Sequence, residues 1–153
     1  MAKWKCKDLG PADLFEGFQI ERNRAKRSIK IYQTFYITKL LQRLKLKNAN
    51  PVKLPIPAGT VLKPDPDNLL EGDEITVYRQ IVGSVLYLAN CTRPDISYAV
   101  GQLARFMSAL SIIYYNTAKQ LLQYLKSTPN MGILYTNRPN TVPTAYNIYT
   151  DAT

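Results

Sequence analysis

A proline-rich segment divides the chain and limits how any fold can be built from it. Residues 50–72 contain five prolines and two glycines, namely Pro51, Pro55, Pro57, Pro64, Pro66, Gly59 and Gly72. Because proline supplies no backbone donor and interrupts helices and central strands, we expect this segment to be an irregular, loose connection. Regular structure must therefore form on either side of it, within a chain of 153 residues that is long enough for one domain.

Positive charge is concentrated before this segment. Residues 1–50 hold 12 of the 20 basic residues and four acids, a net charge of +8, whereas residues 51–153 carry a net charge of +1. Such a concentration is expected of a protein that binds a polyanion. The alternative is an ordinary solvated basic surface.

The composition excludes several classes of protein. The chain has no histidine, which removes His-based triads and mixed Cys/His zinc sites. Its two cysteines, Cys6 and Cys91, are too few for a disulfide framework or a four-thiolate site. No apolar run is long enough to span a membrane, and the first residues do not form a secretory signal. We therefore expect an intracellular protein, cytoplasmic or nuclear, with no membrane partner, no small-molecule substrate and no metal site.

Alternating apolar residues predict a β-hairpin over residues 15–32 with a basic tip at residues 22–27. A helix that Thr34 can cap follows, with apolar residues at helical spacing from Tyr36 to Leu44. Its other face carries lysine and arginine. The candidate nucleic-acid-binding residues are Arg22, Arg24, Lys26, Arg27 and Lys30 on the hairpin, and Lys39, Arg43, Lys45 and Lys47 on the helix. For each one alone, a solvated side chain is the alternative.

Helical periodicity dominates the chain after the proline-rich segment. It predicts helices over residues 75–89, 92–107 and 111–126, and short strands over residues 131–135 and 146–149. Thr92 and Asp95 are spaced as a capping box, and close helix approach would compensate for Gly83 and Gly101. The predicted fold class is α+β: an N-terminal basic β-hairpin, a Pro-rich linker, a bundle of about three to four helices, and short C-terminal strands.

Residues 78–107, YRQIVGSVLYLANCTRPDISYAVGQLARFM, resemble the reverse-transcriptase region of copia-type retrotransposon Pol polyproteins. In that family a Tyr-Arg-x-Ile-Val-Gly-Ser-Leu-Leu-Tyr-Leu segment precedes Thr-Arg-Pro-Asp-Ile and an apolar helix that ends in Arg-Phe-Met. Further matches extend the resemblance to almost the whole chain, at residues 7–10, 15–17, 36–46, 122–126 and 149–151.

The resemblance implies a division of the chain into four parts. Residues 1–49 would be a primer-grip-like hairpin with the first thumb helix, 50–72 the linker, 73–130 the helical thumb and connection, and 131–153 the start of a ribonuclease H domain. Phe15, Gly17 and Phe18 match the primer grip, where Glu16 departs from the family pattern by placing an acid; an ordinary hairpin strand is the alternative. The implied partners are an RNA or DNA duplex or single strand, bound without sequence preference, and the remainder of the Pol polyprotein.

The acidic residues indicate that this chain is not itself a polymerase. Nucleotide addition needs two metal ions, Mg²⁺ or Mn²⁺ in the full-length family enzyme, held by carboxylates. The family's Tyr-x-Asp-Asp motif is missing, and no adjacent Asp-Asp pair occurs. Asp151 resembles the first ribonuclease H carboxylate, but Thr153 replaces the second acid of that motif.

We therefore assign no catalytic residue and no cofactor to this chain. The leading interpretation is a truncated, inactive reverse-transcriptase fragment with residual non-specific nucleic-acid binding. The alternatives are a co-opted protein-interaction module and an exon fragment of a longer active Pol polyprotein.

Overall fold

Among the residues that the structure describes, four antiparallel strands form one sheet in which the strands follow chain order. They are β1 Leu14–Phe15, β2 Phe18–Asn23, β3 Ser28–Tyr32 and β4 Gly132–Thr136. The computed structural model describes residues 10–57, 59–60, 62–108 and 110–136. β4 pairs with β3, so that Ile31 lies opposite Ile133. The strands predicted at 28–32 and 131–135 are confirmed, and the one predicted at 146–149 lies outside the described residues.

A tight turn that the sequence pattern did not reveal separates β1 from β2. Phe15 pairs with Phe18, which leaves Glu16 and Gly17 as a two-residue loop. Their φ angles are 49° and 83°, as a type I′ turn requires. This mirror-image turn matches the right-handed twist of the paired strands. The predicted first strand is therefore two strands, and the predicted hairpin is part of a four-stranded meander.

In the described part of the chain, four α-helices and one short 3₁₀ turn form the bundle, in agreement with the predicted α+β class. They are α1 Thr34–Arg43, α2 Asp73–Cys91, α3 Ser97–Ala104 and α4 Ile112–Ser127, with the 3₁₀ turn Pro94–Ile96 before α3. Most of the predicted apolar stripes are confirmed as core, although Leu86 on the predicted apolar face of α2 is exposed; the buried side chains include Ile37, Leu40, Ile81, Val85, Leu88, Ile96, Leu103, Leu121 and Leu125. The helix predicted over residues 92–107 is shorter, because its first turn is 3₁₀ and its α-helical part ends at Ala104.

Both predicted threonine caps are wrong, because the two hydroxyls bond to distant parts of the chain. Thr34 Oγ1 donates to the carbonyl of Pro129 at 2.9 Å, and Thr92 Oγ1 donates to Gln33 Oε1 at 2.8 Å. Neither α1 nor the 3₁₀ turn has a side-chain cap. These hydrogen bonds tie the start of α1 to the segment after α4 and to the end of α2.

The two helical glycines do not mark close helix packing. A Cβ added at Gly83 or Gly101 would meet nothing within 4 Å. Both glycines are exposed. The predicted compensation is therefore wrong, and each glycine leaves its helix without the stability that alanine would supply.

The proline-rich segment is irregular, as predicted, but it is not loose. Leu62 and Leu70 are buried in the core of the bundle. Side chains of α4 donate hydrogen bonds to backbone carbonyls within the segment and just before it. Tyr114 donates to the carbonyl of Lys63, Ser127 to that of Val52, and Lys126 to that of Ala49, which precedes the segment. Carbonyls that cannot join a helix or sheet thus find donors on α4, which fixes the segment against that helix.

Candidate nucleic-acid interface

The tip of the β2–β3 hairpin concentrates arginine around a hollow. Asn23 Oδ1 accepts a hydrogen bond from the backbone of Lys26 at 2.9 Å, and Arg27 takes a left-handed φ of 48° to close the loop. The hollow has a volume of about 420 Å³ and is lined by Arg22, Asn23, Arg24, Arg27, Ser28 and Ile29. We call it the tip hollow. Three arginines at one concavity suit phosphate oxygens, because a guanidinium group can bind phosphate through two parallel hydrogen bonds.

Two of the predicted hairpin cations do not line the tip hollow. Lys26 lies in the exposed loop, and Lys30 lies on the other face of the sheet, because its cross-strand partner is Glu21 whereas Arg22 pairs with Ile29. Lys30 Nζ lies 4.8 Å from the centre of the Tyr32 ring, a cation–π contact. The arginines, rather than the lysines, therefore form the concave basic surface.

Only two of the four cations that were predicted on the basic face of α1 lie on this helix. Lys39 and Arg43, four residues apart, line a hollow of about 230 Å³ together with Tyr36 and Leu40. Arg43 also donates to Ser84 Oγ of α2 at 3.0 Å. Lys45 and Lys47 lie beyond the end of α1, and Lys45 has a φ of 57°. The prediction that all four cations share a helix face is therefore wrong.

The structure divides the predicted basic residues between two places. The tip hollow lies where β2 ends and β3 begins, whereas α1 starts directly after the other end of β3. β3 has five residues, so its two ends are separated by about 17 Å at about 3.4 Å per residue. The tip hollow and the start of α1 therefore lie at opposite ends of this strand.

The primer-grip-like residues lie at the end of the sheet nearest α1. Phe15 and Phe18 pair across the Glu16-Gly17 turn, and the Phe18 ring centre is 6.5 Å from that of Tyr87 on α2. Both phenylalanines line an apolar hollow of about 250 Å³ on one face of the sheet, with Ile20, Ile31, Cys91, Ile133 and Tyr135. A Cβ added at Gly17 would meet nothing within 4 Å, so the backbone of the turn is open on its outer side.

A second hollow beside this turn was missed by the sequence reasoning. It has a volume of about 160 Å³ and is lined by Leu14, Gly17, Gln33, Phe35, Tyr36, Lys39 and Tyr87. We call it the aromatic hollow. The Tyr36 and Tyr87 ring centres are 5.1 Å apart with the rings tilted by 60°. The adjacent aromatics Phe35 and Tyr36 at the start of a basic helix were the available signal.

Arg93 and Asp95, which match the family motif, form a buried structural network. Arg93 is fully buried and donates Nε to Asp95 Oδ1 at 2.9 Å and Nη2 to Oδ2 at 2.8 Å. Tyr124 also donates to Oδ2, at 2.9 Å. Burial alone would raise the pKa of the Asp95 carboxyl, but the hydrogen bonds and charge of Arg93, with the Tyr124 hydroxyl, hold that pKa below its ordinary value. This network joins the 3₁₀ turn to α4.

The described residues contain no cluster of metal-binding side chains. No group of three or more His, Cys, Asp or Glu residues lies close enough together there to hold a metal ion. Asp151 lies outside the described residues. Among the described residues, no helix is both long and apolar enough to cross a bilayer.

Comparison with known proteins identifies relatives over most of the chain. It is 39% identical over 126 residues to the retrovirus-related Pol polyprotein from transposon TNT 1-94 of Nicotiana tabacum, covering 80% of this chain and 10% of that protein. It is 39% identical over 153 residues to that from transposon RE1 of Arabidopsis thaliana, covering 98% and 10%. A putative transposon Ty5-1 protein of Saccharomyces cerevisiae is 31% identical over 143 residues, covering 94% and 46%.

These relatives define the class of protein as part of a transposon polyprotein. No family model and no solved structure matches the chain. The chain belongs to the retrovirus-related Pol polyproteins of copia-type retrotransposons, which confirms the resemblance seen in the sequence. It spans about a tenth of the length of the two plant polyproteins.

Proposed function

We propose that this chain is the nucleic-acid-holding segment of a retrotransposon reverse transcriptase, and that it binds RNA or DNA without sequence preference. The observation that carries the proposal is the tip hollow, where Arg22, Arg24 and Arg27 surround one concavity. Arginine contacts to phosphate give affinity and position but carry no sequence information. The kinship with Pol polyproteins supports this reading. We also propose that the protein acts in the cytoplasm or the nucleus.

The binding proposal is tested by a salt titration. Fluorescence anisotropy with a labelled single strand gives the binding constant at each salt concentration. A plot of its logarithm against the logarithm of the salt concentration should have a slope near −3 if about four or five phosphates are neutralised, at about −0.7 for each phosphate. An Arg24→Gln/Arg27→Gln variant should lower the magnitude of that slope by about 1.4. A Lys53→Gln/Lys63→Gln variant removes the same charge from the exposed linker and should leave the slope nearly unchanged. Binding that is undetectable at low salt, or independent of salt, would remove the proposal.

We also propose that the 153-residue chain does not itself join nucleotides and needs no cofactor. Polymerisation requires paired carboxylates that align two metal ions, and the sequence offers no adjacent Asp-Asp pair. The absence of an acidic cluster in the described part of the fold supports this. Primer extension with Mg²⁺ or Mn²⁺ should give no product, and metal-dependent incorporation above background would contradict the proposal.

A second candidate function, a co-opted protein-interaction module, is favoured by one observation. The apolar hollow around Cys91 leaves one face of the sheet partly uncovered, and none of the residues of the four described strands is fully buried. Uncovered apolar surface of this kind is typical of interaction sites. Self-association in light scattering, together with no nucleic-acid binding at low salt, would favour this candidate over the first.

A further inference from the structure

The aromatic hollow beside the Glu16-Gly17 turn has the size of a site for one flat ring. Its volume of about 160 Å³ lies below the roughly 300–1,000 Å³ of pockets for drug-sized ligands. Two of its walls are uncovered aromatics: Phe35 is 58% exposed and Tyr87 is 37% exposed. Aromatic side chains left open to solvent next to a basic surface are the usual stacking surfaces for nucleobases.

Gln33, one of the residues that line the hollow, has a buried amide donor without a partner in the described part of the chain. Gln33 is 1% exposed, and its Oε1 accepts from Thr92 Oγ1 at 2.8 Å. Its Nε2 has no acceptor among the described residues. This Nε2 has almost no exposed surface, so it lies behind the surface of the hollow and does not face a ligand there.

Positive charge continues from this hollow along α1. Lys39 lines both the aromatic hollow and the hollow that Arg43 shares with Tyr36. Lys39 and Arg43 are four residues apart, about 6 Å along the helix axis, so they lie on one face. A ring held by the aromatic hollow would therefore have its own backbone phosphate beside these two cations.

We infer that the aromatic hollow binds one unpaired nucleobase of a single strand, with the adjoining phosphate held by Lys39 and Arg43. This inference rests on the proposed nucleic-acid binding and deepens it by naming the preferred form of the ligand. A base within a stacked duplex cannot enter a hollow of this size, because its partner and neighbours would have to enter with it. The chain should accordingly prefer single strands to blunt duplexes, without strong preference among bases.

The test compares a short oligothymidylate with an abasic strand of equal length, both labelled, by fluorescence anisotropy at one low salt concentration. The wild-type chain should bind the oligothymidylate more tightly. Phe35→Ala should weaken oligothymidylate binding roughly 5- to 150-fold, the loss expected for one stacked base, and leave the abasic strand unaffected. Lys39→Gln should weaken both strands, since the phosphate is common to them.

Matched controls separate stacking from general effects. Tyr98→Ala removes an aromatic that is 65% exposed and lines none of the hollows described above, and Lys53→Gln removes an exposed linker charge. Both should leave the affinities unchanged, and circular dichroism should show that every variant is folded. Equal binding of the two strands by the wild type, or equal losses for Phe35→Ala and Tyr98→Ala, would overturn the inference while leaving the proposed function intact. No binding of either strand would overturn both.

Discussion

Asp95→Ala is expected to destabilise the fold by about 3 kcal/mol, because it leaves the guanidinium of Arg93 buried without its counter-ion. Arg93 is fully buried and makes two parallel bonds to the carboxylate, at 2.9 and 2.8 Å. Removing one partner of such a pair costs about 3–5 kcal/mol. The Asp95 side chain is 28% exposed, so water reaches the gap and the lower end of that range applies. The bonds from Arg93 to the carbonyl and hydroxyl of Thr128 remain.

Urea denaturation followed by circular dichroism measures this loss. Asp67→Ala, which removes an exposed carboxylate in the linker, is the matched control and should change stability by less than about 0.5 kcal/mol. An Arg93→Met/Asp95→Ala variant should recover part of the loss, because no unpaired charge stays buried. A loss below about 1 kcal/mol for Asp95→Ala, or a double variant no more stable than the single one, would refute the reasoning.

The network of Arg93, Asp95 and Tyr124 also makes the stability of the fold depend on pH. The folded pKa of Asp95 is held below its ordinary value, so the carboxylate contributes stability that is fully present above the unfolded pKa of about 3.9. That contribution is lost as the pH falls through the folded pKa. Asp95→Asn should therefore flatten the decline of the melting temperature below about pH 4. If the melting temperature of this variant declines below about pH 4 as steeply as that of the wild type, the decline comes from other carboxylates.

The glycines supply two opposite predictions. Gly83→Ala should raise the free energy of unfolding by about 0.5–1 kcal/mol, because its methyl enters open space on an exposed helix face, and Gly101→Ala should act alike. Gly132→Ala should lower it by about 2 kcal/mol, because the new Cβ would lie 2.6 Å from Tyr32 Cβ and against the Ile31 carbonyl. The midpoints of urea denaturation measure both effects. An unchanged stability for Gly132→Ala, or a lower one for Gly83→Ala, would contradict the crowded surroundings of Gly132 or the open surroundings of Gly83.

Periodicity in the sequence was sufficient to place the elements that bury a continuous face. The bounds of α2 and α4 fall within two residues of those predicted, because apolar residues recur at helical spacing along both. The turn between β1 and β2 could not be found in this way. Phe15 and Phe18 are three residues apart and line the same apolar hollow only because the turn lies between them. The turn was hidden because Glu16 is an unusual residue for a left-handed position.

The candidate site was only partly accessible from the sequence, for a similar reason. Charge counting found the cations but could not show that β3 separates the tip hollow from α1. The aromatic hollow was missed because it joins Tyr87 of α2 to residues of α1 and of the turn. Such a site depends on how the sheet and the bundle meet, which local patterns do not specify.

Glu16→Asn tests whether the turn geometry or the charge at this position matters. Glu16 has a φ of 49°, which costs most L-residues about 1–2 kcal/mol, whereas asparagine tolerates that region and is favoured in type I′ turns. Asparagine should therefore raise the free energy of unfolding by about 0.5–1 kcal/mol. Glu16→Gln removes the same charge without asparagine's preference for this conformation. If glutamine stabilises the chain as much as asparagine in urea titrations, the gain comes from the lost charge and the conformational argument fails.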